Sequence, residues 1–237
     1  MVRYQVALQV RLGSRRLPRK ALLPLAGGPC VLDWVLRHLR QSRRAERFLL
    51  LCPERDAEVL EPYARRYGFV LFGGPEQDVL RRFVGALERY PSEYCFRATG
   101  DNPLVLGSLL DFMAERHGGA DYSDYYWVRG LPYGFAAELF CVEALLSAGS
   151  EGLPEACEHV TPALYRNPQR YSVVYDELPL LSETRFEGVS KLRLTLDTPE
   201  DYAFLQGVFA HLQGRRTLEG PYPDFREVML DLSSFPL

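Results

Sequence analysis

The residues with the most chemistry to offer lie near the start of the chain, between Gln9 and Lys20, in QVRLGSRRLPRK. Five cations, Arg11, Arg15, Arg16, Arg19 and Lys20, share that stretch with Gly13 and Ser14, which suit a tight bend, and Pro18, which stops a helix. Guanidinium and ammonium groups neutralise polyphosphate, and backbone N–H groups in such a bend can face phosphate oxygens. It is no P-loop, because G-x-x-x-x-G-K-[ST] is absent; a solvated basic loop is the plain alternative. Two acids stand in suggestive surroundings. Asp101 lies in Thr99-Gly100-Asp101-Asn102-Pro103, ordinary turn chemistry that also suits a Mg2+ ligand facing phosphates, since Mg2+ prefers hard carboxylate oxygens. Asp197 ends LRLTLD, just before Thr198-Pro199-Glu200-Asp201. There Thr198 is a natural N-cap, Pro199 a first helical residue, and the acids match the helix dipole. Helix initiation accounts for those four residues but not for Asp197.

The elements that must position these groups alternate. Tyr4–Val10 reads as a buried first strand, Val31–Leu39 as an amphipathic helix, and Phe48–Cys52 as a central strand. Glu54–Tyr67 follows as a helix stopped by Gly68, then Phe69–Phe72 as a strand, Glu76–Tyr90 as a helix and Tyr94–Ala98 as a fourth strand. A helix is expected over Leu106–His117. This order predicts an α/β fold, an open and mostly parallel sheet with right-handed crossovers, whose ligands sit at the carboxyl ends of the strands. The basic loop follows the first strand and Asp101 follows the fourth, so both point into one crevice. Further on, Asp121–Gly134 (DYSDYYWVRGLPYG) reads as a loop or short hairpin lining a pocket, its aromatics serving a sugar face or a dimer interface. Phe135–Val142 and Leu192–Asp201 read as strands, the latter ending at Asp197, and Phe225–Leu232 as a closing helix.

The 237 residues suffice for one large domain with a well-buried core, or for two small ones. With 47% hydrophobic and 25% charged residues the composition is that of a globular protein, and no apolar run approaches a membrane span. A cytoplasmic protein is expected. Five scattered cysteines and four dispersed histidines form no metal-ligand spacing; Cys52, Cys95 and Cys141 fall in apolar runs and read as buried thiols. Residues 1–47 hold eleven basic residues against two acidic ones, so a net charge of −3 conceals a basic start on an acidic body. That asymmetry suits a local anionic ligand and argues against a nucleic-acid surface.

The segment R-L-G-S-R-R-L-P-R-K resembles the R-x-x-S-x-R-L-P-x-K signature of sugar cytidylyltransferases, in particular the spore-coat polysaccharide biosynthesis branch. T-G-D-N-P-L is similar to that family's T-G-D-C-P-L, with Asn102 in place of Cys. Glu158, His159 and Thr161 match R-E-H-V-T-P, with Cys157 in place of Arg. LRLTLDTPED is similar throughout. The family's P-x-G-x-D-x-E finds Pro132, Gly134 and Glu138 here, but Ala136 stands where Asp is expected.

The resemblance implies a single domain over 1–237 with a nucleotide-diphospho-sugar transferase fold, made of a nucleotide-binding half (1–118) and a half for sugar contacts and dimerisation (119–237). It also implies the reaction of CTP with an acidic sugar to give a CMP-sugar and pyrophosphate. It implies Arg16, Lys20 and Asp101 as catalytic, Mg2+ held by Asp101 and Asp197, and nucleotide contacts from Val10, Arg11, Gly13, Ser14, Arg16, Lys20, Thr99 and Asn102. Tyr133, Glu138, Glu158 and His159 are the corresponding candidates for the sugar. A homodimer is expected, with neither nucleic acid nor membrane as partner. Two alternatives stay open: a glycosyltransferase using an NDP-sugar, and a non-catalytic member of the family. A glycosyltransferase usually carries D-x-D, whereas Asp121–Tyr122–Ser123–Asp124 is spaced one residue too far. Ala136 and Cys157 are the support for a non-catalytic member.

Overall fold

The computed structural model describes residues 2–119, 122–150, 159–178, 183, 186 and 188–236. Its strands are β1 (Tyr4–Gln9), β2 (Ala45–Pro53), β3 (Val70–Gly74), β4 (Tyr94–Thr99), β5 (Tyr125–Arg129), β6 (Glu138–Cys141) and β7 (Val173–Glu177). They form one sheet in the order β3-β2-β1-β4-β6-β5-β7. β1 pairs in parallel with β2 and β4, β2 with β3, and β5 with β7. β6 pairs antiparallel with both its neighbours, so it alone runs against the rest. The helices are α1 (Val31–Arg40), α2 (Ala57–Tyr67), α3 (Val79–Arg89), α4 (Gly107–Gly119), α5 (Val142–Ser150), the single turn α6 (Pro162–Tyr165), α7 (Pro199–Gly214) and α8 (Phe225–Ser233).

Both faces of the sheet are covered, which is why its central strands read as unbroken apolar runs rather than alternating ones. Val6, Leu8, Leu50 and Phe96 pack with Leu36, Leu109, Leu205 and Val228 on one face. Ala7, Leu49, Leu51 and Cys95 pack with Phe83, Leu87 and Leu145 on the other. The expected start of α7 is realised in full: the Thr198 hydroxyl accepts from the Asp201 N–H and Asp201 accepts from the Thr198 N–H, with Pro199 as first helical residue. Gly68 ends α2 in the left-handed region at φ 70°. The four described cysteines are free; Cys52 and Cys95 are buried and Cys141 half-buried. No described helix is long and apolar enough to cross a membrane.

Three expectations need correction. The aromatic stretch is not a pocket-lining loop, for it contains β5, with Tyr125 and Tyr126 buried in the sheet. Their phenols donate to Glu138 Oε1 (3.0 Å) and Asp176 Oδ2 (2.5 Å), so each ring is interior and each polar tip is satisfied. The strand expected over Phe135–Val142 shortens to β6, and Val142 already begins α5. The segment 192–197 keeps its alternation, with Leu192, Leu194 and Leu196 buried, yet it makes one bridge, Tyr133 with Arg193, rather than a strand. Gly134 permits that approach. At φ 91° it occupies a region L side chains avoid, and a Cβ there would lie 2.8 Å from Leu194 C and Thr195 N.

Candidate active site

The basic loop leaves β1 and is tied down at once. The Leu12 N–H donates to Asp56 Oδ2 (2.9 Å), a buried carboxylate from the turn between β2 and α2. The Ser14 and Arg19 N–H groups both return to the Leu12 carbonyl, at 3.0 and 3.1 Å, and Ser14 Oγ accepts from the Leu17 N–H (3.3 Å). Arg19 takes a left-handed conformation, φ 54°, from which a short 3-10 turn, Lys20–Leu22, carries Lys20 inward. On the neighbouring strand, Gly100 donates to the Gln9 carbonyl at 2.9 Å and follows β4 directly into Asp101.

Asp197 arrives from the far end of the chain. The Leu196 N–H donates to the Asp101 carbonyl (2.9 Å), which locks the two acids side by side. Lys20 Nζ lies between them, 2.7 Å from Asp101 Oδ2 and 2.8 Å from Asp197 Oδ1. Arg16 stands 3.3 Å from Asp197 Oδ1 and Arg193 2.5 Å from Oδ2. Asp101 Oδ1 accepts from the Thr99 hydroxyl at 2.6 Å. Burial opposes ionisation of Asp197, but Lys20, Arg16 and Arg193 outweigh it and hold the carboxyl below the usual carboxylate range.

These groups line a cleft of about 770 Å³ at the carboxyl ends of β1 and β4. Of the sequence candidates, Val10, Arg11, Gly13, Ser14, Arg16, Lys20, Thr99, Asp101, His159 and Asp197 line it. Glu158 lies outside the described residues. Asn102, Tyr133 and Glu138 are not among the lining residues. Asn102 sits in the turn after β4, its N–H donating to the Thr99 carbonyl at 3.2 Å. Tyr133 is 64% exposed, with the Arg193 guanidinium 4.9 Å from its ring centre. Glu138, expected to touch the sugar, is instead spent inside the protein. Its Oε2 pairs with Arg97, and its Oε1 accepts from Tyr125 (3.0 Å) and Thr161 (2.6 Å).

The cleft also holds residues that local sequence reading passes over. Arg82 on α3 is 2% exposed, donates to the Pro75 carbonyl (2.9 Å) and lines the cleft, and burial lowers its pKa. Arg97 also lines the cleft and donates to Gln9 Oε1 at 3.0 Å. An arginine among Val79, Leu80 and Phe83 on the buried face of a helix was the available signal for Arg82. His159 stands exposed on the rim, and the next residue, Val160, is buried at φ 60°. A β-branched residue in that region is strained and must be held there by its surroundings.

The arrangement can bind a polyanion and, at the acids, a cation. Two carboxylates from separate elements converge on one positive point, so the donor set suits a hard divalent ion. Among the described residues no group of three or more metal-ligating side chains exists. A Mg2+ here would therefore complete its shell with phosphate or water oxygens, its usual habit.

A family model described as "Cytidylyltransferase" matches residues 6–220. Spore coat polysaccharide biosynthesis protein SpsF of Bacillus subtilis (strain 168) is 35% identical over 209 residues, covering 85% of this chain and 84% of that one. Among solved structures, a cytidylyltransferase from Leptospira borgpetersenii serovar Hardjo-bovis superposes with a TM-score of 0.81 at 25% identity, covering 100% of this chain and 99% of that one. The fold is also that of CMP:2-keto-3-deoxy-manno-octonic acid synthetase complexed with CTP, with a TM-score of 0.63 at 13% identity over 88% of this chain and 98% of that one.

Proposed function

Because the chain belongs to the cytidylyltransferase family, we propose that it transfers CMP from CTP to an acidic sugar and releases pyrophosphate, supplying a surface or spore-coat polysaccharide from the cytoplasm. The observation that carries this reading is the meeting of Arg11, Arg16 and Lys20 with Asp101 and Asp197 in one cleft. The name of the Bacillus relative supports the polysaccharide setting, and that of the CTP-bound synthetase supports the nucleotide and the acidic acceptor.

A hydroxyl of the sugar attacks the α-phosphorus in line, a new P–O bond forms, and the bond to the pyrophosphate breaks. Such a step needs positioning and neutralisation of charge rather than a covalent intermediate. Arg11 and Arg16 grip the triphosphate and stabilise the leaving pyrophosphate, with Arg15 on the same wall. Asp101 and Asp197 would hold Mg2+, which when bound supplies Lewis acidity and a template. His159 and Arg97 line the same cleft and are the candidate contacts for the acceptor. The working form is a homodimer, which sedimentation would test.

A thermal-shift panel of CTP, UTP, GTP, ATP and dTTP, with and without Mg2+, tests the reading. A ligand at about one hundred times its Kd adds about 2.7 kcal/mol. A shift selected by CTP, enhanced by Mg2+ and lost in Arg16→Ala is expected, followed by pyrophosphate release with an acidic sugar. No shift with any triphosphate would overturn it and favour a non-catalytic member.

A further inference from the structure

Of the 28 basic residues in this chain, 26 are arginines; the two lysines are Lys20 and Lys191. A chain that uses arginine almost everywhere keeps an ammonium between Asp101 and Asp197. The geometry gives the reason. Lys20 Nζ bonds Asp101 and Asp197 at 2.7 and 2.8 Å with its side chain only 10% exposed. A compact point charge fits between two oxygens, whereas a planar guanidinium spreads its charge over a fork. The ammonium thus sits where a divalent cation bridging the same acids would have to sit.

On the same two oxygens, like charge sets the two occupants against each other. Around the site Lys20, Arg16 and Arg193 face Asp101, Asp197 and Asp201, three against three. A dication added to that balanced, half-buried set would meet a like charge sharing its own two ligand oxygens. We propose that Lys20 is the resident cation of this site, holding the acids together until a divalent ion displaces it, and that the two occupants exclude each other. The proposal rests on the reading of Asp101 and Asp197 as metal ligands. It sets a binding order: free metal must expel the ammonium with no compensation, whereas metal arriving with a triphosphate gives the ammonium phosphate oxygens to move to. Lys20 is then both the placeholder for the metal and, once released, a cation for the phosphates.

The test uses metal alone. Mn2+ is titrated calorimetrically into the ligand-free protein and into Lys20→Met. The variant is expected to bind at least tenfold more tightly, and the gain to vanish in Lys20→Met/Asp197→Asn. Equal or weaker binding by Lys20→Met, or binding by neither protein, overturns the proposal. A second measurement stands if Lys20→Met fails to fold. With lysine-selective 15N labelling the wild-type chain gives two side-chain signals, and saturating Mg2+ should move that of Lys20 and leave that of Lys191. An unmoved Lys20 signal would equally overturn it. Neither experiment contains nucleotide, so a failure of the CTP reading is registered separately, in the triphosphate panel.

Discussion

Removing the carboxylate of Glu138 should cost far more than a surface charge would. Glu138 and Arg97 face each other across β4 and β6, and each side chain is 14% exposed. Deleting one partner of a buried pair leaves the other charge uncompensated, at about 3–5 kcal/mol. The Tyr125 and Thr161 hydroxyls lose their shared acceptor, at about 1 kcal/mol each. Part of this is offset, because Val160, released from Thr161's anchorage, can leave its strained conformation and recover about 1–3 kcal/mol. The net for Glu138→Ala is about 4 kcal/mol. For a chain of this size each kcal/mol moves Tm by about 2–4 °C, so calorimetry should show a fall of about 8–16 °C. The double variant Arg97→Met/Glu138→Leu removes both charges together and should recover most of that loss. A fall under about 4 °C for Glu138→Ala, or a double variant less stable than the single, would refute the account of a charge pair anchoring the rim.

Two other outcomes can be checked. Burial pushes the fully enclosed His38 down to about 4, and its Nδ1–H donates to the Pro103 carbonyl at 2.8 Å. The unfolded chain, with this ring titrating near 6.5, takes up the proton first; stability is therefore complete above about pH 6.5 and declines as pH falls toward 4. Asparagine keeps a donor without the titration, so His38→Asn should flatten the change in urea midpoint between about pH 7.5 and about pH 5; an identical slope would refute it. Gly134→Ala puts a Cβ 2.8 Å from the backbone at Leu194 and Thr195 at φ 91°. It should cost about 1–3 kcal/mol and, by shifting the segment that bears Asp197, weaken Mg2+-enhanced CTP binding in the thermal-shift assay; unchanged binding would show that the approach is not needed.

How much of this was legible in the sequence depended on whether the signal was local. Lys20 and Asp101 could be brought together because strand order and the carboxyl-end rule suffice to aim both loops at one crevice. Asp197 stood out because the N-cap, proline and acids beside it were already explained. Glu138 was misplaced because its partners are fixed by register: opposite Arg97 on an antiparallel neighbour, and under Thr161 from a segment 23 residues on. No periodicity reveals that. Tyr125 and Tyr126 misled for a related reason. With both sheet faces buried, neighbouring aromatics lose the alternation that marks a strand. Asp56 likewise gave no sign that it would anchor the Leu12 N–H across 44 residues.

The bond between Lys20 and Asp197 spans 177 residues, and it has a consequence for the newborn protein. Ribosomes add roughly 5–20 residues per second, so the basic loop waits on the order of 10–35 s for its second acid. Throughout that interval the emerged segment, with eleven cations against two acids in its first 47 residues, lacks Asp197 as a counter-charge. A truncated chain would remain in that condition, able to attract polyanions but unable to assemble the acidic pair. Competence thus arrives only once Asp197 has been added, 177 residues after Lys20.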